Sequence, residues 1–278
     1  MGTFSFFTTA ELRALGETKQ SIRASIECGE RFRVIDGWYG TSSTPQEAVL
    51  AMRMGGRVGC VSALRLHGAW CPPDSGLHVF FPPSASGRRS AGRDQGVGVV
   101  RHWHGRQMAG GSAFAVPPID LALRDALECQ PPHMLVAVLD SLLRRRLMSR
   151  NRLEALVRRG PERNHHLLTH LDARSESGTE SILRYRLAVS GISTSIQVVL
   201  RSRDRLDLEI DGWLAIEADG REHHAQQEAF TRDRARVVRV MREGRIVLQF
   251  SYAAIVYRWR EVFDAIVAVM AQHAPVAP

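Results

Sequence analysis

The chain has 278 residues, enough for one large or two ordinary domains, and with 44% hydrophobic and 24% charged residues it has an ordered, globular composition. A formal charge of +8 favours a polyanionic partner, nucleic acid first. No stretch reaches membrane-spanning length and the N-terminus has no basic leader, so the expectation is a cytoplasmic protein without a membrane partner.

Thr8-Thr9-Ala10-Glu11 is a capping box that predicts a short helix through Leu15, ended by Gly16. A second helix is predicted from about Thr18 to Cys28, with Ile22 and Ile26 inward and Gly29 closing it. Phe32–Ile35, Asp36-Gly37 and Trp38-Tyr39 then read as strand, tight turn and strand. Two helices followed by a β wing predict a winged helix-turn-helix over residues 1–41. Its candidate DNA contacts are Lys19, Gln20 and Arg23 on the second helix, with Arg31 and Arg33 near the wing. The same residues also suit the solvated face of a small helical domain. This half, continuing through Val61-Ser62-Ala63-Leu64-Arg65-Leu66-His67-Gly68, resembles the N-terminal region of AbiEi-type antitoxins of type IV toxin–antitoxin systems. The resemblance implies a winged helix that represses its own operon.

Residues 42–160 read as a mixed α+β middle segment. Leu77–Pro82 and Val97–Trp103 are predicted strands around a Ser/Gly/Arg-rich loop; Ile119–Cys129, Met134–Leu147 and Asn151–Arg159 are predicted helices. Residues 161–176 read as a linker. Cys28, Cys60, Cys71 and Cys129 are widely spaced with no C-x-x-C pair, which argues against a structural zinc site and against a disulfide framework. His67 reads as a packed residue, and His166 and His170 lack a suitably spaced partner for a metal.

The most informative stretch is RLDLEIDGWLAIEADGREHH, residues 205–224. Leu206, Leu208, Ile210, Leu214, Ile216 and Ala218 fall on one parity, and Asp207, Glu209, Glu217 and Asp219 on the other. A row of acids on one face of a hairpin can hold a divalent metal. The turn decides whether it does: an odd-numbered connection puts Asp207 and Glu217 on the same side, whereas a two-residue Asp-Gly turn puts them on opposite sides. The acidic parity equally suits the wet face of an amphipathic hairpin, and Glu180 completes a capping box with Ser177. Glu228–Glu243 predicts a basic helix that carries Phe230, Arg234, Val237, Val238 and Met241 at helical spacing and offers Arg232, Arg234, Arg236 and Arg239 to phosphates. Ile246–Phe250 reads as a strand and Ala253–Ala271 as a closing helix.

Glu180, Asp207 and Glu217-Ala218-Asp219-Gly220, followed by His223-His224, Phe230, Asp233-Arg234 and Phe250-Ser251, resemble the domain-of-unknown-function family 559. That family belongs to the PD-(D/E)XK nuclease fold and is related to the very-short-patch repair endonuclease. The resemblance covers roughly residues 175–269. It implies a restriction-endonuclease-like mixed sheet flanked by helices over 177–273, Mg²⁺ or Mn²⁺ on Asp207 and Glu217 with Glu180 completing the cluster, and a proton-transferring histidine. Either His223 or His224 could serve; the comparison with the repair endonuclease favours His224. Where the motif's lysine should stand there is Asp219, an orienting or third acid, and Lys19 is the chain's only lysine. The overall expectation is an α+β protein that binds DNA through Lys19, Gln20, Arg23, Arg33 and Arg234 and hydrolyses phosphodiesters. The alternative is a non-enzymatic regulator of antitoxin type with a degenerate nuclease domain. Phosphate chemistry does not separate DNA from RNA, and the oligomeric state is not legible.

Overall fold

The computed structural model describes residues 5–73, 75–82, 98–103, 115–219 and 227–273; the side chains of 219 and 227–233 lie outside the description. The fold is α+β. It divides into two compact units, Met1–Cys129 with Arg159–Pro161, and Gln130–Arg158 with Glu162–Pro278.

The first unit starts with β1 (Phe6–Thr8), α1 (Thr9–Ala14), α2 (Lys19–Glu27), β2 (Phe32–Ile35) and β3 (Trp38–Gly40). Thr8 caps α1 in the predicted box, with its backbone N–H donating to Glu11 at 2.7 Å. Thr18 caps α2 in the same way, with Ser21 as the reciprocal partner. The strand before α1 was not expected; it joins the hairpin in an antiparallel sheet of order β1-β3-β2. Gly37 takes a φ of 72° in the turn, the left-handed value that a tight Asp-Gly connection needs.

Further elements are α3 (Gln46–Arg53), β4 (Arg57–Val58), α4 (Cys60–Leu66), β5 (Leu77–Phe81), β6 (Val99–Trp103) and α5 (Ile119–Cys129). Sheet order here is β4-β5-β6, with β5 and β6 parallel. All of β5 is buried, as a central strand covered on both faces requires. His67 is half-buried, with Nε2 2.8 Å from the Pro117 carbonyl, which bears out its reading as a packed residue.

The second unit contains α6 (Pro132–Arg144), α7 (Arg150–Arg159, its last residue grouped with the first unit) and α8 (Gly178–Val189). A boundary near residue 160 was expected. It falls instead before α6, whose residues Leu135, Val136, Val138, Leu139 and Leu142 are fully buried against neighbours including α8. The expected linker is a 3-10 helix, Glu162–His170, that buries Asn164, Leu167 and Leu168. Beyond it, Asp140 accepts from the Asp172 backbone at 2.8 Å and from Arg184 at 2.7 Å. Segments that bury leucines and pair buried charges are part of a core, whatever their polar composition suggests. His166 bonds the Tyr185 hydroxyl at 2.9 Å, a packing role.

The rest is β7 (Ser195–Val199), β8 (Arg205–Ile210), β9 (Leu214–Asp219), α9 (Gln227–Arg242), β10 (Ile246–Ser251), α10 (Tyr252–Tyr257) and α11 (Trp259–His273). The sheet is mixed, of order β10-β9-β8-β7, with only β9 and β10 parallel. Leu206, Leu208, Ile210, Leu214 and Ile216 are essentially fully buried, and each such side chain contributes roughly 1.5–3 kcal/mol. The single closing helix expected over 253–271 is broken at Arg258, whose ψ of 39° ends α10. Among the described side chains of α9, Val240 is buried, while Val238 and Met241, expected on the packed face, are exposed.

Candidate active site

Asp211, Gly212 and Trp213 form the β8–β9 connection, and Ile210 pairs with Leu214 across it. Three residues is an odd count. The turn is possible because Asp211 and Gly212 both take left-handed φ, 49° and 73°. The register then runs Ile210↔Leu214, Glu209↔Ala215 and Leu208↔Ile216, and its continuation sets Asp207 opposite Glu217. Residues opposite one another in an antiparallel pair share a face. The two carboxyl groups lie within hydrogen-bond reach, and Asp207 Oδ2 also accepts from the Ala218 N–H at 3.0 Å. Glu217 is set opposite Gln249 on the other side, so the polar row continues into β10.

Glu180 comes from the first turn of α8. The Ser177 hydroxyl accepts from its N–H at 3.1 Å, which is one arm of the expected capping box. Its carboxylate is also hydrogen-bonded to the Ser177 side chain, and Oε2 accepts from the Glu176 N–H at 2.7 Å and from Gln197 Nε2 at 2.9 Å. Burial pushes the Glu180 carboxyl above the usual range, opposed by the Glu176 bond and reinforced by the charge of Asp207. Asp207 is also raised, first by burial; the Ala218 bond and Arg236 oppose the shift. Both shifts come first from burial, which disfavours the charged carboxylate.

One cation does reach the acids. Arg236 of α9 places Nη2 3.0 Å from each oxygen of Glu217. It was expected to be available to phosphates, yet it is engaged here, and Arg239 is held bidentate by Asp204 at 2.8 and 2.9 Å. Asp219 ends β9 opposite Ser251, its side chain outside the described residues, as are His223, His224 and the side chains of Phe230 and Arg232. No protein-family model matches the chain, and no curated protein does.

In the first unit, Lys19, Gln20 and Arg23 are exposed on α2, and Lys19 and Arg23 border a cleft with Arg13, Ile22, Ile26 and Tyr39. Arg23 is paired with Glu27 at 2.8 Å and Arg33 with Asp36, both at exposed positions where such pairs are weak. Arg31 is different. It sits largely buried between Glu17, at 2.7 Å, and the Phe7 ring, which makes it a structural cation. Arg234 on α9 is exposed.

Among the described residues, one group of three or more potential ligands has all its ligand atoms within 4.8 Å of one another, and it is not the acidic set. It is Cys60, His78, His102 and Cys129, from α4, β5, β6 and α5 of the first unit. The hydrogen bond from Cys60, helped by His102 and His78, holds the Cys129 thiol well below the usual thiol range, while burial and Cys129 push Cys60 up. Reading the sequence missed this group because no two of its members share a local spacing. Each histidine stands on a predicted strand, but the register that brings them together, His78↔Val100 and Phe80↔His102, is not written in the sequence.

Proposed function

We propose that this chain is a nucleic-acid-binding protein whose second unit hydrolyses phosphodiester bonds with Mg²⁺ or Mn²⁺. The observation that carries the reading is the shared face of Asp207 and Glu217, with Glu180 beside them on the helix that precedes the sheet. This matches the layout implied by the resemblance to the PD-(D/E)XK fold: an acid on a helix, an acid on a strand and a glutamate on the next strand. The donor set fits a hard cation, since Mg²⁺ is often held by one or two carboxylates and keeps several waters. Asp207 and Glu217 would be the ligands, and the bound ion would supply an activated water and charge compensation at the phosphate.

The chain's own residues supply the rest. Glu180, fixed by Glu176 and Gln197, raises the negative potential felt at Asp207 and so favours a cation there. Arg236 offers a planar fork beside the acids, in place of the lysine that Asp219 replaces, and could hold a phosphate when released from Glu217. His224 is the proposed proton carrier. Lys19, Gln20, Arg23, Arg33 and Arg234 are the proposed nucleic-acid contacts, the first four within a winged helix-turn-helix.

Purified full-length protein incubated with DNA and RNA substrates and Mg²⁺ or Mn²⁺ tests this. Cleavage should require the metal and be lost in Asp207→Ala, with folding and gel-shift binding kept. Unchanged metal-dependent cleavage by that variant removes the assigned role. One observation favours a second reading, a non-enzymatic regulator of antitoxin type: both oxygens of Glu217 are already taken by Arg236. That reading expects a gel shift without cleavage, abolished by Arg23→Ala and untouched by Asp207→Ala.

A further inference from the structure

We propose that Cys60, His78, His102 and Cys129 form a closed, structural zinc site in the first unit. Two thiols and two imidazoles are a donor set that zinc prefers and Mg²⁺ does not. Tetrahedral zinc, with bonds of about 2.0–2.1 Å to nitrogen and about 2.3 Å to sulfur, sets its ligand atoms roughly 3.3–3.8 Å apart. Here His78 Nδ1 lies 3.0 Å from His102 Nε2 and 3.8 Å from Cys129 Sγ, and all four ligand atoms lie within 4.8 Å of one another. Those separations leave only a small contraction or spread to surround an ion.

Supporting contacts orient the ligands as a metal site needs. His78 Nε2 is 3.1 Å from the Ser75 carbonyl, which can only accept, so the hydrogen belongs on Nε2 and the lone pair of Nδ1 faces the cluster. The backbone of His78 is held at both ends, its N–H on the Ser62 hydroxyl at 3.0 Å and its carbonyl on the Gly59 N–H at 2.9 Å. Gly59 is the residue before Cys60, so the strand that presents one ligand also anchors the helix start that presents another. Cys60 itself is fully buried and takes a φ of 49°, a left-handed conformation costly for a residue with a Cβ. Such a conformation persists where the surroundings over-determine it. His78 and His102 come from parallel strands and stack with ring centroids 5.2 Å apart.

With four protein ligands no position is left for a substrate, so the role is structural. The ion would tie β6, an outer strand of its sheet, to β5 and to one end each of α4 and α5. It would do for this unit what a disulfide does in an oxidising compartment.

The test uses the full-length chain, purified under reducing conditions without chelator. Elemental analysis should find one zinc per chain, and cobalt substitution should give thiolate-to-cobalt charge transfer with the intense visible bands of a tetrahedral ion. Cys129→Ser should weaken the charge-transfer band, and Cys28→Ser should leave metal content unchanged. Zinc-free protein that shows no tetrahedral cobalt spectrum on reconstitution overturns the proposal, whether or not the variants fold. So does a Cys60–Cys129 disulfide in the purified chain, or metal content that follows Cys28 instead of Cys129.

Discussion

Asp207 is an acid whose surroundings work against its charge: burial raises its carboxyl above the ordinary value of 3.8, and Glu176 adds repulsion. A raised folded-state value means that the folded protein binds the proton more tightly than the unfolded chain does. The stability this group lends is therefore whole below pH 3.8 and is lost as pH rises through its folded value. Without metal at pH 8, Asp207→Asn should raise the unfolding temperature by a few degrees, a gain that fades toward pH 4. Added Mg²⁺ should give wild type a similar rise and the variant none. A thermal scan of both proteins across pH checks this, and an Asn variant less stable than wild type at pH 8 would contradict it. Arg236 gives the complementary case. Arg236→Ala removes the cation from buried Glu217 and should cost toward the lower end of about 3–5 kcal/mol, because the arginine is 25% exposed. Adding Glu217→Gln should return much of that loss, as a denaturation-based double-mutant cycle would measure.

At the scale of elements, the β8–β9 turn decides what the acids can do, because its length sets their parity. Gly212 at φ 73° admits no comfortable side chain, so Gly212→Val should lower stability by about 1–2 kcal/mol. Asp211 stands at φ 49°, and Asp211→Gly should relieve strain, recovering up to about 1 kcal/mol. Urea midpoints moving in opposite directions at constant slope would bear out both. The hairpin also marks how far local pattern carries. Alternation in Leu206 to Ala218 made both strands and their apolar face legible, but the turn's length does not follow from an Asp-Gly pair, so the shared face of Asp207 and Glu217 stayed open until the register was known. Capping boxes located the starts of α1 and α8 because a cap is a contact between near neighbours in the chain. The 3-10 helix at 162–170 was illegible for the converse reason: Leu167 and Leu168 are buried by tertiary packing that its polar neighbours do not announce. Arg236 against Glu217, and the thiol–imidazole group of the first unit, are encounters between distant segments and leave no spacing to read.

Across the whole molecule the formal charge of +8 is the property that bears most directly on a partner. Attraction to nucleic acid through phosphate contacts releases counterions, so log K should fall linearly with log salt, by about 0.9 for each phosphate engaged on duplex DNA. Not every arginine can contribute. Arg31, Arg184, Arg236 and Arg239 are held in ion pairs with Glu17, Asp140, Glu217 and Asp204. Lys19 and Arg23 on α2 and Arg234 on α9 are exposed, and Arg23 sits in a surface ion pair with Glu27 one turn away. If α2 grips the backbone, Lys19→Ala with Arg23→Ala should flatten the salt slope by up to about 1.8, and Arg234→Ala should flatten it by up to about 0.9. Equilibrium binding to one duplex over a salt series, with the three proteins side by side, separates the contributions because each change removes charge from a different unit. A slope unaltered by the α2 pair but reduced by Arg234→Ala would assign the grip to the second unit and count against a DNA-reading role for α2. A slope near zero in wild type would mean that the basic excess does not serve nucleic-acid binding at all.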